Sequence, residues 1–112
     1  MLPKENRLTK KSDFENVRES GRFFPSKNFS ISFVKRKEGR DSRFGIIVSK
    51  KISKLAVDRN RARRIIKEII RKNIESVKPG YDNVILAKSG ILRQNSAKIE
   101  TELKEAWKKI GL

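Results

Sequence analysis

Hydrophobic positions along the chain change their spacing from segment to segment, and each spacing predicts an element. Between Lys11 and Gly21, Phe14 and Val17 stand three apart, one face of a short helix. Ser12 lies three residues before Glu15, the capping-box spacing, and Gly21 offers the permissive backbone where the helix should stop. From Asn28 to Lys35, Phe29, Ile31 and Phe33 alternate with Ser30 and Ser32, which predicts a strand with one buried row and an outward serine row. Arg43 to Ser49 repeats the alternation with Phe44, Ile46 and Val48. The charged segment between the two, with Gly39 inside it, makes a hairpin the economical connection.

From about Lys54 to Asn73 the period lengthens. At about 100° per residue from Leu55, the side chains of Ala62, Ile65, Ile66, Ile69 and Ile70 fall within an arc from about 280° to 60°, a helix stripe fit to bury against a sheet. Asn60, Arg64, Lys67 and Arg71 gather on the opposite side, with Arg63 and Arg61 flanking them. Pro79 and Gly80 then break the chain before Asp82 to Lys88. There Val84, Ile85, Leu86 and Ala87 run without alternation, as in a central or parallel strand covered on both faces. A last helix from about Ser96 lines up Ile99, Leu103, Ala106, Trp107 and Ile110, with Glu100 and Lys104, and Glu105 and Lys109, spaced for ion pairs. The order is α-β-β-α-β-α, an α+β sandwich, with room for a short extra strand around Arg22 to Phe24. Phe23, Phe24 and Tyr81, beside strands, are expected in the core, as is Trp107 on the apolar side of its helix.

Composition sharpens this picture. The 112 residues suit a single domain, and 36% hydrophobic residues in periodic clusters argue for a folded chain despite 38% charged ones. Met1 to Lys11, with four cations and little apolar pattern, reads as a flexible basic arm ordered only against a partner. Without histidine or cysteine there can be no disulfide, imidazole or thiolate metal site, or histidine-based triad. No apolar run approaches the roughly 20 residues of a membrane span and no apolar signal region opens the chain, so a cytoplasmic protein without membrane contact is expected.

Charge points to the partner. Lys and Arg number 29 against 13 Asp and Glu, a net charge of +16 that calls for a polyanion. Between Lys50 and Lys72 ten cations face only Asp58 and Glu68, so half of the net charge lies in 23 residues. Phosphates binding there would relieve the repulsion and release counterions. Arginine dominates on the helix, and its planar fork pairs two-fold with phosphate oxygens, while Asn60 adds a carboxamide able to read a base edge or a ribose hydroxyl. Asp58 and Glu68 could hold Mg²⁺, but pairing with neighbouring arginines is the simpler expectation.

The segment IVSKKISKLAVDRNRARRIIKEIIRK, from Ile47, resembles the arginine-asparagine-arginine signature of the bacterial ribonuclease P protein subunit. RLTKKSDFENV at Arg7 to Val17, FGIIVSKK ahead of the long helix, and the strand ending in Ala87 and Lys88 occur in that family's order and extend the resemblance over nearly the whole chain. The resemblance implies a fold like the second domain of the fifth small-subunit ribosomal protein, with a left-handed βαβ crossover that handedness rules alone would not suggest. It implies a cytoplasmic ribonucleoprotein that removes the 5′ leader of precursor tRNA, its partners being ribonuclease P RNA and precursor tRNA. The RNA subunit then performs hydrolysis with Mg²⁺ bound mainly by RNA, leaving this chain without a catalytic residue, an intrinsic cofactor or a need to oligomerise.

As RNA contacts the resemblance implies Arg59, Asn60, Arg61, Arg63, Arg64 and Lys67, with Lys50 and Lys51 nearby and Arg71 further along the helix. It also implies a leader-binding cleft between the first helix and the sheet, matched here by Phe14 and Lys88, with Ser30 and Ser32 on the exposed strand row and Arg18 on the helix. Arg18 and Ser32 stand where relatives can carry aromatics, so leader binding is expected to lean less on stacking and more on charge and hydroxyl contacts. Two other classes compete with this reading. An autonomous nuclease would need a histidine base or convergent carboxylates, and no such motif is visible. A ribosomal RNA-binding protein would differ by copurifying with ribosomal subunits.

Overall fold

A computed structural model describes residues 2–37 and 41–112. Helix α1 spans Lys11–Ser20 and leads into strands β1 (Arg22–Pro25), β2 (Phe29–Lys35) and β3 (Arg43–Ile47). Helix α2 (Ala56–Asn73), strand β4 (Tyr81–Ala87) and helix α3 (Ser96–Ile110) complete the chain, with short 3-10 turns at Lys4–Asn6 and Ser89–Arg93.

The four strands form one sheet in the order β1-β2-β4-β3. β2 pairs antiparallel with β1 and with β4, while β3 lies parallel to β4, so α2 is the crossover between parallel neighbours. The expected β2–β3 hairpin is not formed; Gly39, proposed as its turn, lies outside the described residues. The reason is visible in β4, whose continuous apolar run is best buried in mid-sheet, where both edges of its backbone find hydrogen-bond partners.

On one face of the sheet Phe29, Ile31, Phe33, Phe44 and Ile85 pack against Ile66, Ile69 and Ile70 of α2 and Ile99, Leu103 and Trp107 of α3. Trp107 meets Phe44 edge to face, with centroids 6.2 Å apart. On the other face a smaller cluster of Leu8, Val17 and Val84, with Phe14 and Val34 against it, seats α1. Arg43 holds that helix in place by donating to both carboxylate oxygens of Asp82, at 2.8 and 2.7 Å, and to Asp13 of α1 at 3.2 Å. Its guanidinium pKa is raised, chiefly by the hydrogen bond to Asp82.

The N-terminal segment is packed, contrary to the expected arm. Leu2 and Leu8 are buried, Leu8 N–H donates to the Phe44 carbonyl at 3.0 Å, and the Asn6 amide reaches the Ser42 carbonyl at 2.8 Å. Burying a leucine gains about 1.5–3 kcal/mol, enough to order a segment that its charges alone would leave extended. Helix α1 begins two residues earlier than a Ser12 cap requires, with Lys10 at the cap and no side-chain capping bond. Nor do the ion pairs expected on α3 form among the described residues. Glu100 instead accepts from the Asn73 amide at 2.9 Å and ties α3 to the end of α2.

Candidate nucleic-acid interface

Two surfaces collect the residues singled out from the sequence. The first is the outer side of α2. The helix buries Ala62, Ile66, Ile69 and Ile70 and exposes Asn60, Arg61, Arg64, Lys67 and Arg71. Asn60, Arg63, Arg64 and Lys67 line a shallow groove of about 290 Å³ with Glu68. Arg63 lies closer to the sheet and donates to the Asn60 carboxamide oxygen at 3.3 Å, which orients that amide. Arg61 is exposed outside this groove, and Lys50 and Lys51 are exposed in the turn before the helix.

Other members of the set have local duties. Arg59 is half-buried and donates to the Ser53 carbonyl at 2.8 Å, closing the turn ahead of α2. Arg71 makes a two-pronged contact with Glu68, one helical turn away. Arg71's hydrogen bond holds the Glu68 carboxyl below its usual range and raises Arg71 in turn. Asp58 was expected to pair with an arginine but among the described residues forms no such pair, and accepts instead from the Ser53 hydroxyl at 2.9 Å. Leu55, from which the angles were counted, lies at the N-cap of the helix and is 61% exposed.

The second surface is a cleft of about 640 Å³ between α1 and the sheet. Phe14 and Arg18 come from α1, Ser30 and Ser32 from β2, and the floor continues with Val84 and Leu86 of β4 and Ile47 of β3. The serine row differs from expectation in that Ser30 is buried and only Ser32 is partly open. Phe14 lies against Gly45, where an added Cβ would stand 2.5 Å from the far edge of its ring and would have to push the ring aside. Lys88 is not brought to the cleft lining; its ammonium donates to the Ser26 carbonyl at 2.6 Å.

One cleft residue escaped the sequence reading. Phe23 of β1 was expected in the core, yet its side chain is 64% exposed and lines the cleft, while Phe24 and Tyr81 pack against the core as expected. In a four-residue strand with adjacent phenylalanines, alternation gives one of them to each face and cannot say which. The register settles it, since Phe24 stands opposite Ile31 of the core row and Phe23 opposite Ser32.

A basic helix face and an aromatic-lined cleft on one small α+β domain are the features of a nucleic-acid-binding protein. Residues 2–111 match the family described as Ribonuclease P, and the chain belongs to this family of ribonuclease P protein components. Among its relatives, the Ribonuclease P protein component of Clostridioides difficile is 50% identical over 82 residues, covering 72% of this chain and 70% of that one. That of Legionella pneumophila (strain Lens) is 36% identical over 107 residues, 96% and 90% of the two chains. Among solved structures, the Staphylococcus aureus RNase P protein superposes with a TM-score of 0.84 at 28% identity, over 94% of each chain. The Thermotoga maritima protein does so with a TM-score of 0.83 at 26% identity, over 92% of this chain and 96% of that one. Membership carries a role in ribonuclease P, an endoribonuclease complex of tRNA processing, and implies an RNA partner in that ribonucleoprotein.

Proposed function

We propose that this chain is the cytoplasmic protein subunit that grips the catalytic RNA of ribonuclease P with the outer face of α2 and guides the 5′ leader of precursor tRNA through the cleft under α1. The observation that carries this reading is the orientation of α2. Its isoleucines are buried, while Asn60, Arg61, Arg64 and Lys67 face solvent, and among the described residues only Arg71 of this face forms an ion pair within the protein. Unneutralised cations on a rigid helix suit a phosphate backbone, and the Asn60 amide, oriented by Arg63, adds a contact to a base edge or a ribose. Arg59, Arg63, Lys50 and Lys51 extend the basic surface around it.

Hydrolysis is assigned to the RNA. The chain offers no histidine or cysteine, and among the described residues no three acidic side chains converge. Mg²⁺ would then be held mainly by the RNA partner, where it could supply Lewis-acid chemistry for hydrolysis. In the cleft, Phe14 offers an aromatic surface, Ser32 a hydroxyl and Arg18 a charge for a leader phosphate.

Binding measurements test this assignment. Replacing Arg64 and Lys67 together by Ala should weaken association with ribonuclease P RNA while leaving the thermal melt unchanged. Undiminished affinity of the double variant would overturn the docking face.

A further inference from the structure

Phe23 is the bulkiest of the exposed hydrophobic side chains, and the fold leaves it in water inside the cleft. Its exposure is built in. Turning the ring inward would shift β1 by one residue and expose Phe24, which packs against the core, so the register forbids it. Helix α1 does not cover it either. The helix ends at Ser20, and Gly21 turns the chain into β1 so tightly that an added Cβ would lie 2.2 Å from the Val17 carbonyl oxygen and 2.8 Å from that of Phe33. The residue opposite on β2 is Ser32, too small to shield the ring.

An exposed aromatic on an edge strand invites aggregation, and here Arg22 and Pro25 flank it as the kinds of residue that discourage strand addition. Keeping a phenylalanine where a polar residue would be safer calls for a ligand with an apolar face. The cleft's volume of about 640 Å³ admits a nucleotide-sized group. Lys11 and Arg18 on the α1 wall, against one carboxylate, Glu15, among the described lining residues, make that group an anion.

We propose that Phe23 is a stacking platform for one unpaired nucleobase of the leader, with Arg18 and Lys11 holding the adjoining phosphates. This rests on the reading of the cleft as the leader site. It revises the expectation that this chain relies little on stacking: the aromatic surface absent at Arg18 and Ser32 is supplied from β1, one strand over. Stacking on a flat ring tolerates any base, as leaders of varied sequence require.

The test uses the full chain assembled with a bacterial ribonuclease P RNA, precursor tRNA carrying 2-aminopurine at successive leader positions, and leaderless tRNA as reference. In the wild-type complex the leader should tighten binding, and fluorescence should be quenched at one leader position. Phe23→Ser should cut the leader's contribution by about 5- to 150-fold, the range corresponding to one stacked base. It should also relieve the quenching while leaving leaderless tRNA binding and the thermal melt unchanged. Phe23→Trp should keep both the affinity and the quenching. A leader contribution and quenching that survive Phe23→Ser would overturn the stacking role alone. A wild-type complex in which the leader adds no affinity would overturn the leader-site reading and, with it, this inference.

Discussion

Residues two positions apart on α2 have opposite duties, and substitution separates them. Arg64 is exposed, so Arg64→Ala should change folding stability by less than about 0.5 kcal/mol while weakening RNA association. Ile66 is buried, and Ile66→Ala should cost about 2–5 kcal/mol of stability. Thermal melts and RNA titrations of the two variants check this, and similar melts would contradict the assigned faces. Gly21 is a stricter case, because a Cβ there meets two backbone oxygens that cannot swing aside. Gly21→Ala should destabilise by about 1–3 kcal/mol, measurable by urea unfolding. At this scale the sequence was legible where a residue sat within a long pattern, as with Ile66 and Arg64. It was not where the pattern was two residues long, as with Phe23 and Phe24, or where a tertiary partner overrode a local motif. Ser12 has capping-box spacing, but the helix starts at Lys11, after a preceding segment anchored by the buried Leu8.

Among elements, strands and helices were readable from period alone, and their pairing was not. Alternation in β2 and β3 says which side chains share a face and nothing about which strand lies alongside; the unbroken apolar run of β4 marked it as central or parallel, as it is, but not as the strand that separates β2 from β3. The N-terminal segment hid for a different reason: Leu2 and Leu8 are too widely spaced to make a pattern, yet both find the core. The link between α3 and the β1–β2 turn was equally invisible. Glu102 accepts from the Ser26 hydroxyl at 2.6 Å, the Asn28 amide side chain at 2.7 Å and the Asn28 N–H at 3.1 Å. Burial opposes its ionisation, but these hydrogen bonds outweigh burial and hold the carboxyl below the ordinary glutamate value. A lowered folded-state pKa means that the contribution is complete above the unfolded value and is lost as pH falls through the folded one. Unfolding free energies measured from neutral pH downward should therefore show the wild type losing stability relative to Glu102→Gln once pH drops below the ordinary glutamate range. Parallel pH profiles would contradict the role given to Glu102.

For the whole molecule, charge and shape act together. A net charge of +16 would draw the chain to any nucleic acid, but the fold places the densest cationic segment on one exposed helix face and an aromatic-lined cleft beneath α1. RNA affinity should fall linearly on a log-log plot against salt, and Arg64→Ala should reduce the slope by about 1 if that side chain neutralises one phosphate. An unchanged slope would remove Arg64 from the contact. Reconstituted cleavage at low Mg²⁺ tests the central claim most directly, with the chain added to a bacterial ribonuclease P RNA and leader release from precursor tRNA followed over time. The account predicts that the RNA cleaves poorly alone, the protein not at all, and the two together efficiently. Cleavage by the RNA-free protein, or a rate that the protein leaves unchanged, would contradict it.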